Sequence, residues 1–578
     1  MVKLQKNFFY ELIYNDESAF VDVVKRKAGK ILFLDLSFNF KNEIPQKTIL
    51  KCVVPATNAL AIWSSFDRVH TLRPDWGMNE INSRLASGMP IQQLFGFDGN
   101  NRMCVSVSDV DTPIKIRMGY VEETAEIICE VEFFALQTNK KSEYNATVRF
   151  DFRNIKYYDS IYDTVDWWEN DCGYKSAVVP EYAKLPMDSL WYSFHQNLDY
   201  QKIIKECKKS KELGLETVII DDGWQTDDNN RGYAFCGDWE VCEKKMGNMK
   251  KLIEEIHKIG MKVMLWYSVP FMGIHSENFD EFKSMLLDES GDQKTFFALD
   301  PRYKKVRVYL STLYEKAIKE WDLDGLKLDF IDSFVLKGKS LECDNNRDFE
   351  SLEDAIHALM SETKEKLTKL KSDILIEFRQ SYVGPSIRKY GNMLRVGDCP
   401  GDVLTNRSQA INLRFTSGET AVHSDMLMWN KTDTVENAAE QFINVIYTVP
   451  QISVLVDELS DEHKKMLKFY ISFWKENRDV LLNGKLTAEN PETDYSSARA
   501  TLNGTEIITP FTNSLVEVLE NKAVILNATL KDFVVIKGAE GYKAKVVNCL
   551  GETVSEFTIK NTLEEIKVSR AGLVYLNK

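Results

Sequence analysis

The 578-residue sequence predicts a multidomain protein whose central (β/α)8 TIM barrel lies between two β domains. Three observations carry that expectation. Short apolar strands alternate with amphipathic helices eight times between residues 186 and 484, a span within the size range of the barrel. The flanking stretches, 1–185 and 485–578, show strand patterns without long helical periodicity. The apolar runs of the middle stretch end on charged and aromatic residues, as barrel strands do where they open into a site. A chain of this length exceeds what one core supports, so three domains are expected: an N-terminal β-sandwich (1–185), a barrel (186–484) and a C-terminal β domain (485–578).

In the first stretch, residues 30–36, 114–118, 125–131 and 146–150 read as strands of a sandwich. Residues 61–66 and 72–77, with Trp63 and Trp76, are aromatic and polar and read as a loop. The barrel strands are then 190–195, 217–222, 262–267, 324–332, 373–378, 392–396, 420–423 and 451–454. Leu213-Gly214 and Ile259-Gly260 stand just before apolar runs, where a helix gives way to an αβ loop. Beyond 485 the strand pattern returns, for example at 523–526 and 533–537.

Acidic residues outnumber basic ones by 87 to 73, and the net charge is −14. Nucleic acid and anionic membranes are poor partners for such a surface, so a neutral small substrate is expected. No run of about 18 apolar residues occurs and the first residues lack a signal-peptide pattern, which predicts a cytoplasmic protein. The ten cysteines form no CxxC pair and the seven histidines no HExxH, so free thiols, no metal and no cofactor are expected.

The stretch 324–332 organises the rest. As a strand it places Leu326, Leu328 and Phe330 on one side and Lys327 and Asp329 on the other. A Lys–Asp ion pair at a strand end would account for those two alone. The other strand ends change the weighting, for they add Trp191, Tyr192 and His195; Asp221, Asp222 and Trp224; Trp266 and Tyr267; Glu377 and Arg379; Arg395 and Asp398; and His423, Asp425 and Trp429. Carboxylates and cations that bind hydroxyls, with aromatics that cover an apolar ring face, are the composition of a sugar site, and two carboxyl groups can cleave a glycosidic bond.

Ile219-Ile220-Asp221-Asp222-Gly223-Trp224, Leu326-Lys327-Leu328-Asp329-Phe330 and Arg395-Val396-Gly397-Asp398, in that order behind a β-rich domain, resemble glycoside hydrolase family 36, the melibiase-like α-galactosidases and α-N-acetylgalactosaminidases. The resemblance implies an N-terminal β-supersandwich, the barrel and a C-terminal antiparallel β domain. It implies a retaining exo-acting α-galactosidase with Asp329 as nucleophile and Asp398 as acid/base, Asp402 being the alternative. Asp221, Asp222 and Lys327 would hold sugar hydroxyls. Trp191, Tyr192 and Trp266 would wall the pocket, Trp63 would come from the N-terminal domain, and Arg379 and Arg395 would complete the binding set.

The chain departs from the family after strand five, where Glu377-Phe378-Arg379-Gln380-Ser381-Tyr382 replaces a cysteine and glycine-rich loop. An N-acetylgalactosamine or another 2-substituted sugar therefore stays open, as do transglycosylation and a homo-oligomer. From a different class, a non-catalytic sugar-binding protein on the barrel scaffold is the competing reading. Asp402 follows Pro400-Gly401 and is expected to cap the next helix.

Overall fold

The computed structural model describes all residues except 1, 6–7, 15–18, 44, 69, 135–139, 288–293, 337–345 and 513–514. Two six-stranded antiparallel sheets form the N-terminal sandwich, running from Val2–Gln5 to Glu143–Asp151. Strand Ile31–Phe40 shows why they face each other: Leu32, Leu34, Leu36, Phe38 and Phe40 are buried, while Ser37 and Asn39 between them are exposed. Leu50, Cys129, Val131 and Phe133 of the other sheet complete that core.

Two segments depart from expectation. Residues 61–64 are not loop but the edge strand Ala61–Ser64, every residue of which is buried, so the alternation that marks a one-sided strand is missing. Tyr157–Asn170 is a helix inside the stretch expected to be all β. Its aromatic and β-branched residues are weak helix formers, and the segment is held by burying Tyr157, Ile161, Val165 and Trp168.

Eight parallel strands then form the barrel sheet: β1 Met187–Ser189, β2 Thr217–Ile220, β3 Lys262–Ser268, β4 Gly325–Asp329, β5 Leu375–Arg379, β6 Met393–Arg395, β7 Ala421–His423 and β8 Gln451–Ile452. Parallel bridges from His423 to Val449 and from Leu427 to Ile452 bring β7 to β8. The first strand lies earlier than expected, because β8 offers pairing only to Met187 and Asp188. Leu190–Phe194 continues as a short helix carrying Trp191 and Tyr192. Helices Tyr200–Leu213 and Met249–Ile259 end on Gly214 and Gly260 at positive φ, as the Leu-Gly and Ile-Gly pairs predict.

Beyond helix Asp461–Asn483, a seven-stranded and a three-stranded sheet make the C-terminal β domain. Most pairs are antiparallel; Thr505–Pro510 with Lys522–Leu526 and Leu515–Glu517 with Phe533–Lys537 run parallel. No described helix is long and apolar enough to cross a membrane, and the nine described cysteines are free thiols.

Gly325 sets how closely β4 approaches its neighbours, since a Cβ there would lie 2.5 Å from the Leu375 carbonyl oxygen and 3.0 Å from Met264 Cγ. Gly325→Ala is expected to destabilise the barrel by about 1–3 kcal/mol, the usual cost of overpacking. Denaturant melts of variant and wild type check this, and coincident curves would show that the strands can part.

Candidate active site

At the carboxyl end of the sheet the inward side chains of neighbouring strands pair charge with charge. Lys327 on β4 is 5% exposed and reaches Asp221, just after β2, at 2.6 Å. Asp329, two residues further on and 7% exposed, is ion-paired to Arg379 of β5 at 2.6 Å. Arg395 of β6 bonds Asp398 at 2.8 Å and the fully buried Asp425 at 2.6 Å, with Glu377 of β5 3.6 Å from its Nε. An isolated buried charge costs several kcal/mol, and each of these is compensated from another strand or loop.

The environment of Asp329 is asymmetric. Its Oδ1 accepts from Arg379 Nε at 2.6 Å, Tyr382 OH at 2.7 Å and its neighbour's backbone, Phe330 N–H, at 2.7 Å. Its Oδ2 accepts from the Trp266 indole N–H alone among the described residues, at 3.0 Å. Burial by itself would raise this carboxyl, but Arg379, then Lys327 and the Trp266 and Tyr382 hydrogen bonds, hold it well below the ordinary carboxylate range. It is an ionised carboxylate with one oxygen saturated and one largely free.

Asp398 differs in exposure, its side chain being 48% accessible. Burial works upward on it as well, and Arg395, Lys327 and Arg379 outweigh that effect, so its carboxyl lies below the usual value. Asp402 caps helix Val403–Thr416, accepting from Thr405 N–H at 3.0 Å and Thr405 Oγ1 at 2.6 Å, as its position after Pro400-Gly401 predicts.

Asp222, 2% exposed, has its two oxygens taken by Gln196 and Gln225, each at 2.7 Å. Burial lifts its pKa to about 6 against those bonds, and the Asp221 charge adds to the lift. Glu377 and Asp425 are likewise raised by burial against the pull of Arg395. Trp191 and Tyr192 are partly exposed; Trp191 packs edge-on against His195 at 4.5 Å, and Tyr192 donates its hydroxyl to Asp425 at 3.0 Å.

Three expected sugar contacts are buried and bonded to other side chains. Trp63 is fully buried at the meeting point of the three parts of the chain, its indole N–H donated to Asn412 at 2.9 Å and lying 3.3 Å from Tyr495 OH, so it has no free face to offer. Trp266 is 2% exposed and serves Asp329 as a donor instead of forming an open wall. Arg395 is 1% exposed, and its two terminal nitrogens are bonded to Asp425, Asp398 and the Val396 carbonyl. Large aromatic and cationic residues at strand ends look alike in sequence whether their polar atoms face a ligand or a neighbour. Gln196, Gln225, Tyr382 and Gln451 also bond the site's carboxylates, unforeseen from the sequence. Tyr382 follows β5 by three residues and Gln451 opens β8, whereas Gln225 and Gln196 lie five and seven residues beyond β2 and β1, too far along their loops for strand-end position to mark them.

These features define a multidomain barrel protein with a pre-charged, carboxylate-bearing site at the strand ends. Comparison with known proteins takes the class further. A family model, melibiase, matches residues 187–383, which carry β1 to β5 with Asp221, Asp222, Lys327 and Asp329. The α-galactosidase Mel36A of Lactobacillus acidophilus is 23% identical over 318 residues, 51% of this chain and 41% of that one. The α-galactosidase AgaA of Geobacillus stearothermophilus is 30% identical over 90 residues, 15% of this chain and 12% of that one. The alignments thus span well under half the length of these curated relatives. Among solved structures, the α-galactosidase of Lactobacillus brevis superposes with a TM-score of 0.66 at 14% identity, covering 98% of this chain and 86% of that one. The AgaA structure does so with a TM-score of 0.65 at 13% identity, covering 98% and 87%. The shared architecture extends over all three parts of the chain, and within it residues 187–383 are similar to the melibiase family.

The raised carboxyl of Asp222 makes a pH prediction. Between the unfolded carboxylate value near 4 and about 6 the folded chain binds the extra proton, so this group's contribution to stability falls as pH rises through that window. Asp222→Asn should therefore gain up to about 3 kcal/mol relative to wild type at pH 7, and the gain should vanish below pH 4. Paired thermal melts across pH test it; a difference that grows toward low pH would contradict it.

Proposed function

We propose that this protein is a retaining, exo-acting α-galactosidase. The observation that carries the reading is the asymmetry of Asp329: Oδ1 is filled by three donors, which fixes the carboxylate plane, while Oδ2 keeps a lone pair for attack. Asp329 Oδ2 forms a bond to the anomeric carbon as the bond to the leaving oxygen breaks, and Asp398 gives that oxygen its proton. Water then attacks the same carbon, loses a proton to Asp398 and releases Asp329, so two inversions restore the α configuration. Asp398 suits the acid/base role because, unlike the buried Asp221, Glu377 and Asp425, it is half open to solvent, where a leaving group and then water must pass. Asp221, Asp222 and Lys327 form the hydroxyl-binding side, with Trp191 and Tyr192 along the partly open edge.

Relatives support the substrate class: those compared bear the name α-galactosidase, and AgaA variants have been solved with raffinose and with stachyose. A site with compensated charges, in a chain of net charge −14, also favours a neutral sugar. Aryl α-glycosides of galactose, N-acetylgalactosamine and glucose, compared side by side, test this. Galactoside turnover is expected; preference for the 2-acetamido sugar would move the reading to an α-N-acetylgalactosaminidase, and binding without turnover of any of them would leave a sugar-binding protein.

Asp329→Ala should abolish turnover in a folded protein, and NMR of the first product should show the α anomer; a β product would refute the double displacement. Asp398→Ala should lose about 10²–10⁴-fold on an oligosaccharide but far less on a nitrophenyl galactoside, which departs unprotonated, and azide should restore the latter's turnover. Asp402→Ala should cost about 1 kcal/mol of stability as a lost helix cap and show neither effect. Azide rescue in Asp402→Ala would transfer the acid role to that residue. Because Arg395 holds the Asp398 carboxyl low, the protonated fraction shrinks as pH rises, so oligosaccharide turnover should decline from acidic toward neutral pH more steeply than nitrophenyl turnover. Parallel pH profiles for the two substrates would contradict this.

A further inference from the structure

A tight turn of the N-terminal sandwich reaches the loops that follow β4 and β5. Arg84 and Ser87 pair across it, N–H to carbonyl at 2.8 and 3.0 Å, and the two residues at its tip, Leu85 and Ala86, are each 1% exposed. The turn is wedged between two barrel loops. On one side the Arg84 guanidinium donates to the carbonyls of Asp332 and Phe334, each at 2.5 Å, in the loop that follows the nucleophile strand. On the other side Gly88 N–H donates to the Ser381 carbonyl at 2.9 Å, and Ser87 Oγ lies 3.0 Å from Ser381 Oγ, in the loop that follows β5. Ser381 Oγ bonds Asp332 Oδ2 at 3.2 Å and so ties the two loops to each other. The contact is close: a Cβ on Gly384 would lie 2.7 Å from the Gly88 carbonyl oxygen.

These two loops begin with the groups that fix Asp329. The first opens at Phe330, whose N–H donates to Asp329 Oδ1 and lies 3.2 Å from Tyr382 OH; the second carries Tyr382, whose hydroxyl donates to the same oxygen. Arg84 binds main-chain carbonyls with two prongs of a rigid fork, which constrains backbone position more than it neutralises charge. We propose that Arg84 is a positioning residue of the catalytic site: through the 331–334 and 380–384 loops it sets the angle of the Asp329 carboxylate, making the N-terminal domain part of the catalytic apparatus. The inference rests on the nucleophile role given to Asp329 above. Displacement of a reacting group by about 1 Å can cost 100-fold in rate, so a clamp that touches no substrate can act on turnover.

The test combines kinetics with a probe that needs no turnover. Trp266 donates its indole N–H to the free oxygen of Asp329, so 5-fluorotryptophan at position 266 reports the carboxylate by ¹⁹F NMR, with Asp329→Asn as the reference for a changed contact. Arg84→Ala should lower kcat on nitrophenyl α-galactoside about 10–100-fold with KM within threefold, and should shift the Trp266 resonance. Arg84→Lys should recover only part of the loss, since an ammonium cannot grip two carbonyls in the same plane. Ser87→Ala, a milder change, serves if Arg84→Ala does not fold. In a Tyr382→Phe background the further loss from Arg84→Ala should shrink to under threefold, because both changes release the same oxygen. Full additivity of the two substitutions, or a low kcat with an unmoved Trp266 signal, would reduce Arg84 to a structural tie. If the wild type turns over no α-galactoside while Arg84→Ala still shifts Trp266, the clamp stands and the proposed activity falls.

Discussion

Compensation of buried charge between strands is the constraint on which the rest depends. Lys327 needs Asp221, Asp329 needs Arg379, and Arg395 needs Glu377, Asp398 and Asp425. Apart from Asp398, which follows Arg395's own strand, each partner sits on, or directly after, a different strand of the barrel from the charge it compensates. Sliding one strand past its neighbour would strand at least one charge in a place where several kcal/mol are lost, so the ion pairs specify the same register as the backbone ladder. The electrostatics that orient the site and those that align the strands are one arrangement.

Because neighbouring groups share charges, the carboxyl groups are pushed in opposite directions. Asp329 and Asp398, each facing more than one cation, lie low. Asp222, Glu377 and Asp425, where burial dominates, lie high. A set of carboxyls in one cleft with separated affinities for protons is what acid and base roles require, and it follows here from which strand end each group occupies. The low position of Asp398 belongs to a half-exposed residue in contact with Arg395, and it links the acid role proposed for it to the acidic side of the pH range.

The flanking domains are bound into this arrangement instead of hanging from it. Trp63 joins the N-terminal sandwich to Asn412 of the barrel and approaches Tyr495 of the C-terminal domain, while Tyr157 and Tyr162 donate their hydroxyls to the Ala488 and Leu486 carbonyls. The turn at Arg84 reaches the loops that follow β4 and β5. The N-terminal domain therefore contributes a clamp on the loops and not the sugar platform expected of Trp63, whose ring is spent on the junction.

Much was legible in the sequence by itself. The strand and helix periods, the Gly214 and Gly260 helix ends, and the aspartates and lysine of the strand-end motifs are local properties, and local chemistry determines them: alternation, capping and the rarity of charge in apolar runs. The Asp402 cap was readable for the same reason, since its partner Thr405 is three residues away. What tertiary structure alone decided is where the long side chains spend their polar atoms. Trp266 donates to Asp329 across 63 positions, Arg395 is consumed by Asp425 across 30, and Arg84 grips carbonyls about 250 residues distant. A buried donor takes whichever acceptor the fold brings within 3 Å, and chain separation carries no record of that choice.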